Sequence, residues 1–213
     1  MVISMVEYTK LMDKIIEILE DGNRDSVIPL GISNRHIHLS QNHIECLFGK
    51  DYEMTRLKEL SQPGQYACKE TVIIAGPRGV IDNVRVLGPA RPMSQVEILS
   101  GDCFKLGIHA PVRQSGDIEN TPGLTIIGKK GTVILEKGVI IAQRHIHMTP
   151  QDAERLHVSD NQIVELKING LRGGIYNNVV VRVSEDFKLE CHIDIEEANA
   201  AGLTSKSEVF IIR

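Results

Sequence analysis

Two short stretches of this chain carry the same histidine motif. Residues 33–47 read SNRHIHLSQNHIECL and residues 142–156 read AQRHIHMTPQDAERL, and they align without a gap, with His36 and His145 109 residues apart. In an extended backbone, side chains two residues apart lie on one face, about 6.6 Å from each other. Two imidazoles so placed can converge on one ion, and the repetition favours metal binding over coincidence.

Each histidine pair needs a further ligand from elsewhere in the chain. From the residues alone the candidates are His192, in the alternating stretch LECHIDI, and the carboxylate of Glu97, in SQVEIL. Three protein ligands leave one coordination position open, which is typical of catalytic zinc sites. Zinc is the first choice, while manganese, iron, cobalt and nickel stay open. The other histidines, His43, His109 and His157, have no partner at such spacing and are expected on the surface or in helices.

Short strands and few helices are predicted to position these motifs. Each His-x-His follows an apolar run, residues 27–33 or 138–143, and precedes a helix start with Ser40 or Thr149 as the N-cap. Further β-rich runs are separated by Gly-Pro and Pro-Gly turns. These runs are residues 71–75, 80–87, 95–99, 124–127, 132–136, 162–168, 179–183 and 188–195. We therefore expect a mainly β fold of barrels or sandwiches, and the repeat within 213 residues predicts two domains of about 100 residues each.

The N-terminal segment is predicted to be an amphipathic helix. Residues 7–21 read EYTKLMDKIIEILED, in which apolar side chains recur every three or four positions between charged ones. Such a helix could dock on its own domain or bind in a groove of another protein.

Composition excludes several classes of partner. The chain has 24 Lys and Arg against 28 Asp and Glu, a net charge of −4, and no dense basic run, so a nucleic-acid partner is not expected. No apolar stretch approaches the roughly 20 residues of a membrane span, and no secretory leader is recognisable, which predicts an intracellular protein. The cysteines, Cys46, Cys68, Cys103 and Cys191, lie far apart and are expected to be reduced thiols.

Several segments together resemble the phosphate propanoyltransferase family, the phosphotransacylases of bacterial microcompartments and of propanediol-type degradation. They are SNRHIHLS, LSQPGQYA, NVRVLGPARPMSQVEI, GVIIAQRHIHMTP, NNVVVRVS and CHIDIEEANAAG. The resemblance runs from about Val27 to the C-terminus. It implies an enzyme that interconverts an acyl-CoA, here propanoyl-CoA, and phosphate with an acyl phosphate and CoA. Direct attack of metal-bound phosphate on the thioester, without an acyl-enzyme, is the expected mechanism.

The resemblance also implies a role for individual residues. The ligands of one zinc ion would be His36, His38 and Glu97, and those of a second would be His145, His147 and His192. Phosphate would bind Arg91, a loop arginine that composition alone leaves as an ordinary surface residue. The contacts to CoA would be Ser33, Lys58, Arg85, Leu87, His192 and Asn199.

The family fold implies two antiparallel β-barrels, related by an internal duplication and capped by short helices. The central barrel would comprise residues 35–142, and the second barrel residues 25–34 together with 143–213, so that the two barrels exchange the strands before their histidine pairs. Residues 1–24 would be an encapsulation helix and its tether, binding shell or core proteins of the compartment. The expected location is the lumen of a cytoplasmic microcompartment, and the expected assembly is a homo-oligomer, a dimer.

Two other functions stay open at this point. A metallohydrolase of the amidohydrolase type also uses a strand-end His-x-His, but it needs an alternating helix and strand pattern over about 250 residues. A non-catalytic, metal-binding structural protein of the compartment is the second alternative, and a closed site with four protein ligands would favour it.

Overall fold

The computed structural model describes residues 27–212 and, before them, Met12. The predicted helix over residues 7–21 therefore lies outside the described residues, apart from Met12. The strands are β1 (Val27–Ser33), β2 (His36–His38), β3 (Arg56–Glu59), β4 (Tyr66–Ala75), β5 (Val80–Gly88), β6 (Gln95–Ile98), β7 (Val112–Arg113), β8 (Leu124–Ile127), β9 (Thr132–Leu135), β10 (Val139–Ala142), β11 (His145–Met148), β12 (Ile163–Ile168), β13 (Gly174–Val183), β14 (Glu190–Asp194) and β15 (Glu208–Ile212). The helices are α1 (Gln41–Phe48), α2 (Ser100–Leu106), α3 (Pro150–Leu156) and α4 (Ile195–Ala201).

The strands form one closed barrel and one open, curled sheet. Six strands close the barrel in the order β1-β14-β11-β13-β12-β15, and the other sheet has the order β7-β10-β6-β2-β5-β4-β8-β9, with β3 paired to β4. The mainly β class is confirmed, but within residues 27–212 only one of the two expected barrels is closed. The expectation of purely antiparallel sheets is wrong as well, because β1 and β10 run parallel to β14 and β6. β1 and β10 are not joined to these neighbours by a hairpin, because they come from the other half of the chain. Strands joined by a hairpin would be antiparallel.

The two histidine strands have matching neighbours. β2 lies between β5, which is parallel to it, and β6, which is antiparallel. β11 lies in the same way between β13 and β14. The strand before each His-x-His pairs in the sheet that holds the other His-x-His, since β1 joins the barrel and β10 joins the open sheet. Each sheet thereby contributes one histidine pair to the region where the chain crosses over.

Separate apolar cores lie under the two sheets. The middle residues of the motifs, Ile37 and Ile146, are fully buried, one in each core, as the alternation predicts. Burial of such a side chain contributes about 1.5–3 kcal/mol and fixes the strand register. The flanking histidines consequently face away from the core.

The helix starts after both motifs are confirmed. The Ser40 side chain accepts a hydrogen bond from the N–H of His43, and Thr149 accepts one from Asp152, which completes a capping box. Each cap ends its histidine strand within two residues, and each motif forms all or nearly all of its short strand, just before a helix. This is a position from which side chains project into a cleft.

The described helices are short, and the barrel differs from the one that the metallohydrolase alternative requires. The longest helix in residues 27–212 is α1, with 8 residues, and no helix there has the length and apolar character to cross a membrane. The barrel has six strands of both directions, whereas the metallohydrolase alternative requires eight parallel strands alternating with helices. The metallohydrolase hypothesis is therefore not supported by the fold.

Candidate active site

Residues of the open sheet and of the barrel line one cleft of about 680 Å³. His36 and His38 reach it from β2, and His145 and His147 reach it from β11. Both histidine pairs therefore face the same solvent space, although they are far apart in the chain.

The first candidate metal group consists of His36, His38 and Glu97. His36 lies opposite Glu97 in the antiparallel pairing of β2 with β6, and the ligand atoms of the three residues lie within 4.8 Å of one another. The Nε2 atom of His36 is 3.3 Å from Oε2 of Glu97. The Nδ1 atom of His36 is 2.8 Å from the carbonyl oxygen of Asn34, which accepts its hydrogen and leaves Nε2 as the candidate ligand atom.

The second group consists of His145, His147 and His192. His145 lies opposite His192 in the pairing of β11 with β14, and the ligand atoms of the group again lie within 4.8 Å of one another. Its three ring centroids are 4.7–4.9 Å apart. His145 Nδ1 is 2.8 Å from the carbonyl oxygen of Gln143, the same backbone contact that orients His36. One ligand orientation is thus repeated in both groups.

Unpaired ring nitrogens show that both groups suit a metal ion. Within residues 27–212, the buried side-chain atoms without a hydrogen-bond partner are Nδ1 of His38, Nδ1 of His147 and Nε2 of His192. His192 Nε2 does lie 3.1 Å from a carboxylate oxygen of Glu190, but not in hydrogen-bond geometry. A buried polar atom left unpaired costs about 1–3 kcal/mol, which coordination of a metal would offset. Three imidazoles, or two with one carboxylate, are ligand sets that zinc enzymes use.

Burial keeps most of these imidazoles neutral. It lowers the pKa of His38 to about 2 and that of His147 to about 2, and the nearby histidines and arginines add to the effect. The pKa of His145 is lowered to about 4, again chiefly by burial. Burial also disfavours the charged form of His36, but the negative charge of Glu97 outweighs it and raises the pKa of His36. Neutral imidazole is the form that binds metal.

Arg91 places a positive charge in the same cleft. It follows β5, donates its backbone N–H to the carbonyl of Leu39 at 2.9 Å, and donates from Nη1 to Oγ of Ser115 at 3.0 Å. Burial is the main cause that lowers the pKa of Arg91, and the charge of Arg182 lowers it further. Two arginine side chains that line one partly buried cleft are suited to bind an anion.

Known proteins share this sequence over most of its length. The family model of phosphate propanoyltransferases matches residues 29–204. The chain belongs to the phosphate propanoyltransferase family. It is 53% identical to the phosphate propanoyltransferase of Thermotoga maritima over 203 residues, which cover 95% of this chain and 97% of that protein. The proteins of that name from Listeria monocytogenes and Clostridioides difficile are 50% and 48% identical, over 88% and 95% of this chain and 90% and 98% of theirs. Members of this family are acyltransferases.

The residues expected to contact CoA in this family divide between two places. Ser33, Lys58, Arg85 and Leu87 line the cleft, as does His192. The Arg85 guanidinium donates to the carbonyls of Cys68 and Lys69 at 2.9 and 2.8 Å. Asn199 is exposed on α4 and does not line the cleft. The described cleft thus brings together all of the predicted CoA contacts except Asn199.

Other cleft residues of this family member were missed in the sequence. Arg182 lies opposite His147 in the pairing of β11 with β13. The sequence feature that could have identified it is its position as a charged residue directly after the buried run Val179–Val181. Also missed are polar residues that line the cleft, Gln62 and Ser115, and two that bond to lining residues, Gln95 and Glu190. Single polar residues of this kind have no characteristic spacing.

The histidines left unassigned lie apart from the two groups. His109 is exposed, and His157 ends α3 with a left-handed backbone, φ 51°. His43 is in α1, with Nδ1 2.7 Å from Oγ of Ser94. Surface and helix positions are what the sequence predicts for them.

Proposed function

We propose that this protein is a zinc-dependent phosphate acyltransferase that interconverts propanoyl-CoA and phosphate with propanoyl phosphate and CoA. The observation that carries the proposal is the convergence of two three-ligand groups and Arg91 on one cleft. A metal-binding structural protein has no need of an arginine beside two groups that each leave a coordination position open. Family membership supports the acyl transfer, and the geometry supports where it occurs.

Six side chains would hold two zinc ions. They are His36, His38 and Glu97 for one ion and His145, His147 and His192 for the other. When bound, zinc would supply Lewis-acid stabilisation of negative charge on oxygen or sulfur. The backbone carbonyls of Asn34 and Gln143 fix the ring orientation of His36 and His145 for this purpose.

Arg91 would bind and orient phosphate. Its planar guanidinium matches two phosphate oxygens, and its partial burial removes water that would otherwise solvate the phosphate and lower its nucleophilicity. One phosphate oxygen then bonds to the carbonyl carbon of the thioester, the carbon–sulfur bond breaks, and CoA leaves as a thiolate that takes a proton from solvent. Holding the two reactants in one cleft converts a bimolecular step into an effectively unimolecular one.

Direct transfer is preferred over an acyl-enzyme because the cleft offers no activated thiol. No cysteine is among the residues of 27–212 that line it. Cys68 and Cys191 are buried in the cores, and burial raises the pKa of both thiols, that of Cys68 to about 11. A thiol of such pKa is almost entirely protonated near neutral pH and is a poor nucleophile.

Further parts of the proposal rest on the resemblance and on the paired motifs. We propose that the halves arose by duplication, since β2 and β11 have matching neighbours, and that the unit boundaries fall at residues 1–24, 35–142, and 25–34 with 143–213. The N-terminal helix would direct the enzyme to a microcompartment through shell or core proteins. The protein would act there as a homodimer.

The test is a thiol-release assay with propanoyl-CoA, with and without phosphate and chelator. We expect release that requires phosphate and is abolished by chelation, and initial-rate lines that intersect, as direct transfer requires. Arg91→Ala should lower kcat/KM for phosphate by on the order of 100-fold. Arg78→Ala is the control for Arg91→Ala, and His109→Ala is the control for His145→Ala. Both control residues are exposed and lie outside the cleft. Phosphate-independent release would refute the acyltransferase, and parallel lines would refute direct transfer.

A further inference from the structure

A buried glutamine, Gln95, connects the first metal group to the phosphate-binding arginine. Gln95 is the first residue of β6, and it is 3% exposed. The amide Nε2 donates to Oε1 of Glu97 at 2.7 Å and to Oγ of Ser115 at 2.8 Å, and Oε1 accepts from the N–H of Gly116 at 2.7 Å. Because a carboxylate only accepts and a backbone N–H only donates, these partners fix the direction in which the amide points.

The amide distinguishes the two oxygens of Glu97. Gln95 and Glu97 are alternate residues of one strand, so their side chains share a face. Oε1 of Glu97 is held by Gln95, while Oε2 lies 3.3 Å from Nε2 of His36. One carboxylate oxygen is thereby left facing the ligand group, in an orientation suited to a single metal bond.

The same amide also determines where Arg91 lies. Ser115 Oγ accepts hydrogen bonds from Nε2 of Gln95 at 2.8 Å and from Nη1 of Arg91 at 3.0 Å. The N–H of Gly116, next in the chain, is bound to Gln95 as well. The loop that holds the guanidinium is therefore attached to β6 at two atoms.

We propose that Gln95 and Ser115 are positioning residues that fix Glu97 and Arg91 relative to each other. The inference rests on the proposed function, and it adds that the first metal group and the phosphate-binding arginine are set by one network. Neither residue is assigned a contact with metal or substrate. Gln95 acts through Glu97 and Ser115, and Ser115 acts through Arg91.

Zinc titration of the metal-free protein against a chromogenic chelator tests the first half of the network. Gln95→Met keeps the length of the side chain and removes its hydrogen bonds. We expect it to weaken one of the two zinc equivalents by about 10- to 100-fold, as loss of an outer-shell partner does, and to leave the other unchanged. Ser115→Ala should leave both equivalents unchanged.

Steady-state kinetics test the second half. Ser115→Ala and Gln95→Met should each raise KM for phosphate by about tenfold, the effect of one lost hydrogen bond to a charged group, without changing KM for propanoyl-CoA. Ser115→Thr, which keeps the hydroxyl, should restore the KM. In an Arg91→Ala background, Ser115→Ala should have no further effect. The control is Thr121→Val, which removes buried hydrogen bonds to Ile118 and Gly138 outside the cleft.

Unchanged zinc binding in a folded Gln95→Met, or an unchanged phosphate KM in Ser115→Ala, overturns the proposal. If Gln95→Met does not fold, the Ser115→Ala, Ser115→Thr and Arg91→Ala series decides. Failure of the proposed function is distinguishable, because the wild-type protein would then lack phosphate-dependent release of CoA or would not bind zinc.

Discussion

The space around His192 depends on a residue with no side chain. Gly31 of β1 lies opposite His192 of β14 and lines the cleft. A Cβ atom at position 31 would lie 2.9 Å from Cδ of Glu190 and 3.1 Å from Nδ1 of His192. Because the strand that carries Gly31 enters from the other half of the chain, this glycine lets the barrel close without displacing a proposed ligand.

We expect Gly31→Ala to weaken zinc binding at the second group by about tenfold, because the methyl group displaces His192. The same crowding should cost about 1–3 kcal/mol of unfolding free energy. Zinc titration and thermal unfolding measure the two effects. The control is Gly174→Ala, where a Cβ would meet no atom within 4 Å. Two unchanged zinc equivalents in Gly31→Ala would contradict the prediction.

The sequence predicts the histidines of the candidate site better than the hydrogen bonds that hold the site in place. His36, His38, His145 and His147 are predicted because the motif is repeated at a constant offset. Several supporting contacts join residues 20 and 21 positions apart, as from Gln95 to Ser115 and Gly116, or 129 apart, as from Ser61 to Glu190. A hydrogen bond between distant residues leaves no periodic pattern, so only the folded chain reveals it.

Strands in which apolar and polar residues alternate can be predicted from the sequence, but the strands with which they pair cannot. β8 has the predicted bounds, and β6 and β9 end one residue early. β3 is missed because its four residues, RLKE, are all exposed and show no alternation. β1 is predicted as a strand, but its parallel pairing with β14 depends on the crossing of the chain. Periodicity identifies the buried face of a strand and contains no information about which strand lies beside it.

Glu70 of β4 holds the segment between α1 and β3. Its buried carboxylate accepts a hydrogen bond from the hydroxyl of Tyr52 at 2.9 Å and from the N–H of Thr55 at 3.1–3.2 Å. Burial alone would raise the pKa of Glu70, but the hydrogen bonds from Thr55 and Tyr52 outweigh it and lower the pKa. A lowered pKa stabilises the fold above the ordinary value of 4.5, and this contribution is lost as pH falls through the folded value.

Glu70→Gln should therefore lower the free energy of unfolding at pH 7 by about 1–2 kcal/mol. The difference from the wild type should shrink as pH falls below 4.5. Denaturant unfolding at several pH values checks this, with Glu59→Gln, an exposed residue of β3, as control. A difference independent of pH would show that the carboxylate charge is not what stabilises the segment.

At the scale of the whole molecule, the proposed reaction needs the open sheet and the barrel held together. Each metal group belongs to one of them, since β2 and β6 are in the sheet and β11 and β14 are in the barrel. Gln62, in the loop after β3, joins the two: its Nε2 donates to the carbonyl of Lys188 at 3.0 Å and its Oε1 accepts from the N–H of Lys188 at 3.2 Å. Gln62 is 4% exposed, and its neighbour Ser61 donates to Glu190 of the barrel.

Gln62→Ala should separate metal binding from turnover. Loss of both contacts leaves backbone groups of Lys188 unpaired, at a cost of about 1–3 kcal/mol of unfolding free energy. Both zinc equivalents should bind as in the wild type, because each metal group lies within one sheet and does not depend on the contact between Gln62 and Lys188. In contrast, kcat for CoA release should fall by about 10- to 100-fold, because the reactants lose their mutual orientation. Gln62→Glu should be worse than Gln62→Ala at pH 7, since Nε2 of Gln62 lies 3.4 Å from the Glu190 carboxylate and a second carboxylate there would be repelled. The matched control is Gln41→Ala, which removes an exposed glutamine that bonds to Glu45 within α1. Full turnover in a folded Gln62→Ala would mean that the two groups do not need a fixed separation, and the single shared cleft would then lose its role in the reaction.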